Sequence, residues 1–181
     1  MSKMWVVFFL LLCVYTNVYA SENNVVFLAA LKGYCTSSDK NVLQNKSVTI
    51  TKDDLKNSTA TLNSEAIISL SVQNQEPQKL EFICEQLIVL SEEEIDLGFK
   101  NKPLKKYPRY LNEKWAGFFE KYSEAHGILK VSMPGYSSDR KYAVIYITSA
   151  CGPLCGNSSL IQLKKLAGVW VVEKTEEQTR S

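Results

Sequence analysis

The sequence predicts an α+β fold, in which an antiparallel sheet with a C-terminal four-stranded meander packs against an amphipathic aromatic helix. The stretch from Lys141 to Lys174 alternates as strand, loop, strand, turn and strand. The ILKVSM segment before it has apolar residues at every second position, which predicts a further strand. Strands joined by short connections form meanders, and a helix with an apolar stripe buries that stripe against such a sheet.

The aromatic helix is predicted over 111–122. Its apolar residues fall at i, i+4, i+7, i+8 and i+11 and form one stripe: Leu111, Trp115, Phe118, Phe119 and Tyr122. The opposite side carries Asn112, Glu113, Lys114, Glu120 and Lys121. A stripe of this kind could be a ligand platform, but helical periodicity more often marks the face that a helix buries. We therefore expect Trp115 in the core.

Further elements are predicted upstream. A helix begins near Asn24 as N-cap, buries a stripe that includes Val25 and Leu28, and ends near Gly33. The TSSDKNVLQNK stretch is predicted to be a loop, SVTITKDD a short strand, and KLEFICEQLIVL a longer strand. The SEAIISLS stretch fits a short helix or a strand equally well.

A short helix is predicted after Ser91. Ser91 and Glu94 have the spacing of a capping box, and the three consecutive glutamates favour the positive end of a helix dipole. This helix is predicted to end at Gly98. At the other end of the chain, the polar tail after Lys174 is expected to fray.

Residues 1–20 are predicted to be a signal peptide. Lys3 precedes an apolar run, and Val18-Tyr19-Ala20 has small residues where signal peptidase requires them. A lipid anchor at Cys13 is the rival interpretation, but Leu12 stands where that signal needs a small residue. The apolar run is short for a membrane span, so no transmembrane segment is expected after cleavage. Residues 21–181 then form a single α+β domain, exported to the periplasm or beyond the cell.

The net charge of the chain is too small to attract a strongly charged partner such as nucleic acid over a long distance. The formal net charge is +2 for the 181 residues and falls to +1 when Lys3 is removed. We therefore expect no nucleic-acid partner. A basic cluster comprises Lys100, Lys102, Lys105, Lys106 and Arg109. It is typical of a solvated loop, and a heparin or lipopolysaccharide site is the alternative.

The cysteines left after cleavage are Cys35, Cys84, Cys151 and Cys155. An even number in an exported chain predicts disulfides, and four cysteines permit three pairings. We favour Cys151–Cys155, because these two residues share one short loop. Cys35–Cys84 then remains as the second bond.

Cys-Gly-Pro-Leu-Cys is similar to the Cys-Gly-Pro-Cys motif of thioredoxin-like oxidoreductases. It has one residue too many, and the thioredoxin motif opens a helix whose dipole lowers the thiol pKa. Here a strand is predicted on each side of the motif. A structural disulfide is therefore favoured over a redox site at Cys151 and Cys155.

No catalytic, metal or cofactor site is predicted. The chain has one histidine, His126, expected just past the aromatic helix in a cap-like role. A general base needs a positioned partner, and the sequence provides no Ser/His/Asp or Cys/His set. Oxidised cysteines cannot bind zinc, so no metal or other cofactor is expected.

The C-terminal half resembles an uncharacterised family of small secreted or lipid-anchored bacterial proteins. The resemblance covers Leu90 to Glu173 and rests on a W-x-x-F-F-x-x-Y helix and a Cys- and Gly-rich hairpin loop. The matching segments are Trp115 to Tyr122, Gly127 to Tyr136, Ala143 to Thr148, Cys151 to Gly156 and Gly168 to Val172. It implies export and a similar fold, and no activity.

Three functional hypotheses follow. The leading one is a non-catalytic binding or structural module of the bacterial envelope, with a protein or a small molecule as its unknown partner. The second is a thiol–disulfide redox protein that uses Cys151 and Cys155. The third is a carrier of a small apolar ligand, with a pocket between sheet and helix.

Overall fold

The computed structural model describes residues 22–51, 53–55, 61–80, 83–103 and 112–180. The helices are α1 (22–30), α2 (Lys32–Cys35), α3 (Ser64–Gln73), α4 (Glu92–Lys100) and α5 (Glu113–Lys121). The strands are β1 (Lys40–Gln44), β2 (Leu87–Leu90), β3 (Ala125–Val131), β4 (Gly135–Tyr136), β5 (Tyr142–Gly152), β6 (Cys155–Leu166) and β7 (Val169–Arg180). The α+β class is confirmed.

The sheet is mixed, and the prediction of a purely antiparallel sheet is wrong. The strand order is β2-β1-β3-β5-β6-β7, with β4 paired to β5. The predicted meander is present, because β3, β5, β6 and β7 are antiparallel neighbours. However, β1 pairs in parallel with both β2 and β3. Parallel pairing needs long crossover connections, which local sequence periodicity does not reveal.

The strands before the meander differ from the sequence prediction. The predicted loop contains β1, whose Val42 and Leu43 are fully buried on opposite faces. The predicted strand around Val48 is absent, and only an isolated bridge joins Lys46 to Lys79 there. The SEAIISLS stretch, left open by the sequence, is helical as α3.

The last strand extends into the predicted tail. β7 stays paired with β6 as far as Arg180, whose partner is Asn157. Register shifts at two places in this ladder mark bulges. Pairing with a long neighbouring strand therefore orders a polar segment that has little apolar side-chain area of its own to bury.

The N-terminal helix is confirmed, but its buried face was predicted wrongly. Val26, Phe27 and Leu31 are buried, whereas Val25 and Leu28 are both 43% exposed. The apolar residues of this segment surround the helix, so periodicity does not identify one face. Contact with the sheet decides which side is buried.

The sheet is covered on both faces. On one face, Ala143, Ile145 and Ile147 of β5 pack with the buried residues of α1. On the other face, Val144 packs against α3, and β1 and β3 pack against α4 and α5. The helices and the sheet therefore form three layers.

The cysteines pair as predicted. Cys35 bonds to Cys84 with their Cα atoms 5.8 Å apart, and Cys151 bonds to Cys155 at 5.1 Å. Within the described ranges, no helix is long and apolar enough to span a membrane. The predicted signal peptide lies outside the described residues.

Candidate functional site: a cleft between α4 and α5

The N-terminus of α4 is fixed by the predicted capping box, which is confirmed. The Ser91 hydroxyl accepts a hydrogen bond from the Glu94 amide at 3.2 Å, and the Glu94 carboxylate accepts one from the Ser91 amide at 2.8 Å. These bonds satisfy backbone donors that the first helical turn leaves free. The start of α4 is therefore set by its own sequence.

The C-terminus of α4 differs from the prediction, because the helix continues past Gly98 to Lys100. A Cβ at Gly98 would lie 2.8 Å from the rings of Phe118 and Tyr122. Gly98 therefore allows close helix packing and does not end the helix. The extra turn places Phe99 against α5.

Hydrogen bonds lock α5 to α4. The Asn112 side chain caps α5 by accepting from the Trp115 amide at 3.1 Å. The Asn101 side-chain amide donates to the Gly117 carbonyl at 3.0 Å, and the Tyr122 hydroxyl donates to the Glu94 carbonyl at 2.9 Å. These two bonds thus join α5 to both ends of α4.

An aromatic cluster fills the space between the two helices. The Phe99 centroid lies 5.2 Å from the centroids of both Trp115 and Phe118, edge-on to the former and stacked on the latter. Phe119 and Tyr122 extend the cluster along α5. Burial of Trp115 and Phe118 against the sheet is confirmed, while Leu111 lies outside the described residues.

A cleft of about 470 Å³ opens beside this cluster. Its described lining residues are Asp96, Phe99, Lys100, Asn112, Lys114 and Trp115. Phe99 and Trp115 are its aromatic lining residues, and the four polar lining residues are called its rim. The volume lies within the range of small-molecule sites, roughly 300–1,000 Å³.

The sequence predictions missed two of the six described lining residues, Asp96 and Phe99. Phe99 was not singled out because the helix was predicted to end at Gly98, and Asp96 was not singled out either. Lys100 was named only as a member of the basic cluster. A signal was present: Ile95 and Phe99 have the i, i+4 spacing of one helical face. The ligand-platform alternative for the aromatic stripe gains support, since Trp115 is 9% exposed and lines the cleft.

The Cys151–Cys155 bond lies at the tip of the β5–β6 hairpin. Both cysteines are exposed, and Gly152 pairs directly with Cys155 across the ladder. A strand flanks the motif on each side, so the motif does not open a helix. The motif therefore lacks the helix that, in thioredoxin-like proteins, begins at the motif and lowers the thiol pKa.

His126 does not cap the aromatic helix, and this prediction is wrong. α5 ends at Lys121, a turn follows, and His126 lies within β3. Its side chain is 61% exposed, with Nε2 3.8 Å from the Asp39 carboxylate. Among the described residues, no group of three His, Cys, Asp or Glu side chains could hold a metal ion.

The basic cluster is only partly described. Lys100 lies on the cleft rim, and Lys102 is exposed just after α4. Lys105, Lys106 and Arg109 lie outside the described residues. The solvated-loop and polyanion-binding alternatives for this cluster therefore both stay predictions.

No family model matches this chain, and no curated protein or solved structure is significantly similar to it. The resemblance to a bacterial envelope family thus stays an expectation. Any functional proposal rests on the chain's own geometry.

Proposed function

We propose that this chain is an exported, non-catalytic binding module, and that the cleft between α4 and α5 binds its ligand. The observation that carries the proposal is the cleft itself, about 470 Å³ in volume with Phe99 and Trp115 on its apolar side. Concave sites with aromatic walls and a few polar groups are the usual form of a small-molecule site.

The cleft is suited to binding because its walls are held in place. Asn101 and Tyr122 form hydrogen bonds that join α4 to α5. The Phe118 ring packs against both aromatic lining residues, with its centroid 5.2 Å from that of Phe99 and 5.7 Å from that of Trp115. A preformed wall loses little conformational entropy when a ligand binds. Among the earlier hypotheses, this geometry supports a small-ligand carrier, although the cleft lies between two helices and not between sheet and helix as that hypothesis had it.

Export and envelope location are part of the proposal. Two disulfides are typical of chains that fold in an oxidising compartment. The predicted signal peptide and the resemblance to envelope proteins point the same way. The thiol–disulfide alternative receives less support, because the Cys151–Cys155 bond lies between two strands.

Binding of the neutral dye N-phenyl-1-naphthylamine tests the proposal. This dye fluoresces when it enters an apolar site, and we expect saturable binding at one site per chain. Trp115→Leu, which removes an aromatic wall, should weaken binding by about fivefold or more, equivalent to about 1 kcal/mol. Phe99→Leu should also weaken dye binding, and it replaces Trp115→Leu in the test if that variant does not fold.

Trp170→Leu is the matched control. Trp170 is buried to a similar degree, 4% exposed, but lies beside Tyr136 in the opposite layer. This variant should bind the dye like the unmodified protein under conditions in which circular dichroism shows both to be folded. Absence of saturable binding, or equal loss of binding in Trp115→Leu and Trp170→Leu, would refute the cleft as the ligand site.

A further inference from the structure

We infer that the ligand of the α4–α5 cleft carries an anionic group beside its apolar part. This inference rests on the proposed binding function and specifies the chemical class of the ligand. It follows from the charges of the rim residues and from the aromatic rings that line the same cleft. A small aromatic or acyl acid has the required combination.

The rim carries an excess of positive charge. Lys100 and Lys114 line the cleft, and Asp96 is the one carboxylate among its described lining residues. Lys102, two residues after the end of α4, is also exposed. The local charge that a ligand meets on entry is therefore positive.

The two rim lysines hold no carboxylate partner among the described residues. Asp96 and Lys100 are four residues apart on α4, yet they form no ion pair within 4.0 Å. Five other described lysines do pair with carboxylates: Lys40, Lys141, Lys164, Lys165 and Lys174. An anionic ligand could thus pair with Lys100 and Lys114 without displacing an existing partner.

The aromatic lining residues, Phe99 and Trp115, determine how we expect such a ligand to be oriented. Aromatic faces carry partial negative charge, so an acidic group is unfavourable directly over the Phe99 or Trp115 ring. A cationic ligand would suit the rings but would meet two ammonium groups at the rim. An apolar body on the rings with an acid at the rim satisfies both parts of the site.

Two dyes with one skeleton test the inference. 8-Anilino-1-naphthalenesulfonate is N-phenyl-1-naphthylamine with one added sulfonate, so a difference in their affinities reports the charge. We expect the sulfonated dye to bind roughly threefold to tenfold tighter at low ionic strength, the range for one or two exposed ion pairs. The advantage should decrease as salt is added, because exposed charges are screened.

Charge variants assign the effect to the rim. The double variant Lys100→Gln/Lys114→Gln should lose the preference for the sulfonated dye, measured as the ratio of the two dye affinities on the same variant. Asp96→Asn should increase the preference. The matched control is Lys32→Gln/Lys79→Gln, which changes two exposed lysines that do not line the cleft and should have no effect.

The outcomes separate the two proposals. Equal affinities for the two dyes, or a preference that survives in the Lys100→Gln/Lys114→Gln variant, would overturn the anionic-ligand inference while the cleft remains a binding site. Failure of both dyes to bind the folded protein would instead remove the proposed function, and the inference with it.

Discussion

The loop at 137–141 shows how single polar residues hold the backbone in place. The Asp139 carboxylate accepts hydrogen bonds from the Ser137 hydroxyl at 2.7 Å and from the Lys141 amide at 3.0 Å. Between them, Arg140 has a positive φ of 55°, a conformation unfavourable for a residue with a side chain. The hydrogen bonds of Asp139 therefore stabilise a turn that the backbone alone would resist.

Asp139 predicts a pH dependence of stability. Hydrogen bonds from Ser137, then from the backbone and side chain of Lys141, lower the pKa of Asp139 to about 2. The unfolded pKa is near 3.9, so the carboxylate stabilises the folded state above about pH 4, and this contribution is lost as the pH falls toward 2. Asp139→Asn should therefore lower the unfolding midpoint in urea at pH 7, by an amount that shrinks between pH 5 and pH 2. A difference between the two proteins that is constant with pH would contradict this assignment.

Glu22 links the start of α1 to the distant meander. Its carboxylate accepts hydrogen bonds from Arg140 at 3.1 Å and from Lys165 at 2.9 Å. The neighbouring Asn23 side chain accepts one from the Tyr136 hydroxyl at 2.7 Å. More than a hundred residues separate these partners along the chain. No local pattern in the sequence could have indicated that they meet.

At the scale of elements, helices with one apolar stripe were predicted well. α5 has its aromatic residues on one side, and the sheet buries that side as expected. α1 is apolar on several sides, so its buried face was predicted wrongly. The contrast shows that periodicity predicts the existence of a helix more reliably than its rotation about its axis.

Neighbouring residues on α1 test the corrected face. Phe27 is 2% exposed and Leu28 is 43% exposed, so Phe27→Ala should lower the free energy of unfolding by about 3–5 kcal/mol. Leu28→Ala should change it by less than about 1 kcal/mol, since exposed substitutions away from special features cost little. Urea unfolding followed by circular dichroism measures both. If Leu28→Ala were the more damaging variant, the orientation of α1 described above would be wrong.

At the scale of the whole molecule, the disulfides constrain very different lengths of chain. Cys35–Cys84 closes a loop with a sequence separation of 49 and joins α2 to the segment before β2. Cys151–Cys155 spans a separation of only 4 within one hairpin. A bond that closes a longer loop removes more entropy from the unfolded chain.

Paired cysteine variants should show this difference. Loop-closure entropy predicts a loss of about 4 kcal/mol in unfolding free energy for Cys35→Ser/Cys84→Ser and about 2 kcal/mol for Cys151→Ser/Cys155→Ser. Urea unfolding of both variants under identical conditions gives the comparison. The opposite order of stabilities would mean that native-state contacts of the hairpin tip outweigh chain entropy.

The sequence by itself determined the parts of this protein that depend on neighbouring residues. Strand alternation and short connections specify the meander, the Ser91 capping box specifies the start of α4, and the short Cys151–Cys155 spacing favours the observed pairing. Each of these relations acts over a few residues, so the chain displays it directly.

Tertiary structure alone decided the parallel position of β1, the rotation of α1 and the cleft. β1 is a strand because β2 and β3 pair with both of its edges, although its own residues are mostly polar. The cleft exists because Gly98 lets α4 continue beside the aromatic rings of α5, which places Phe99 next to Trp115. These features depend on contacts between segments far apart in the chain, and burial free energy is gained only when those segments meet.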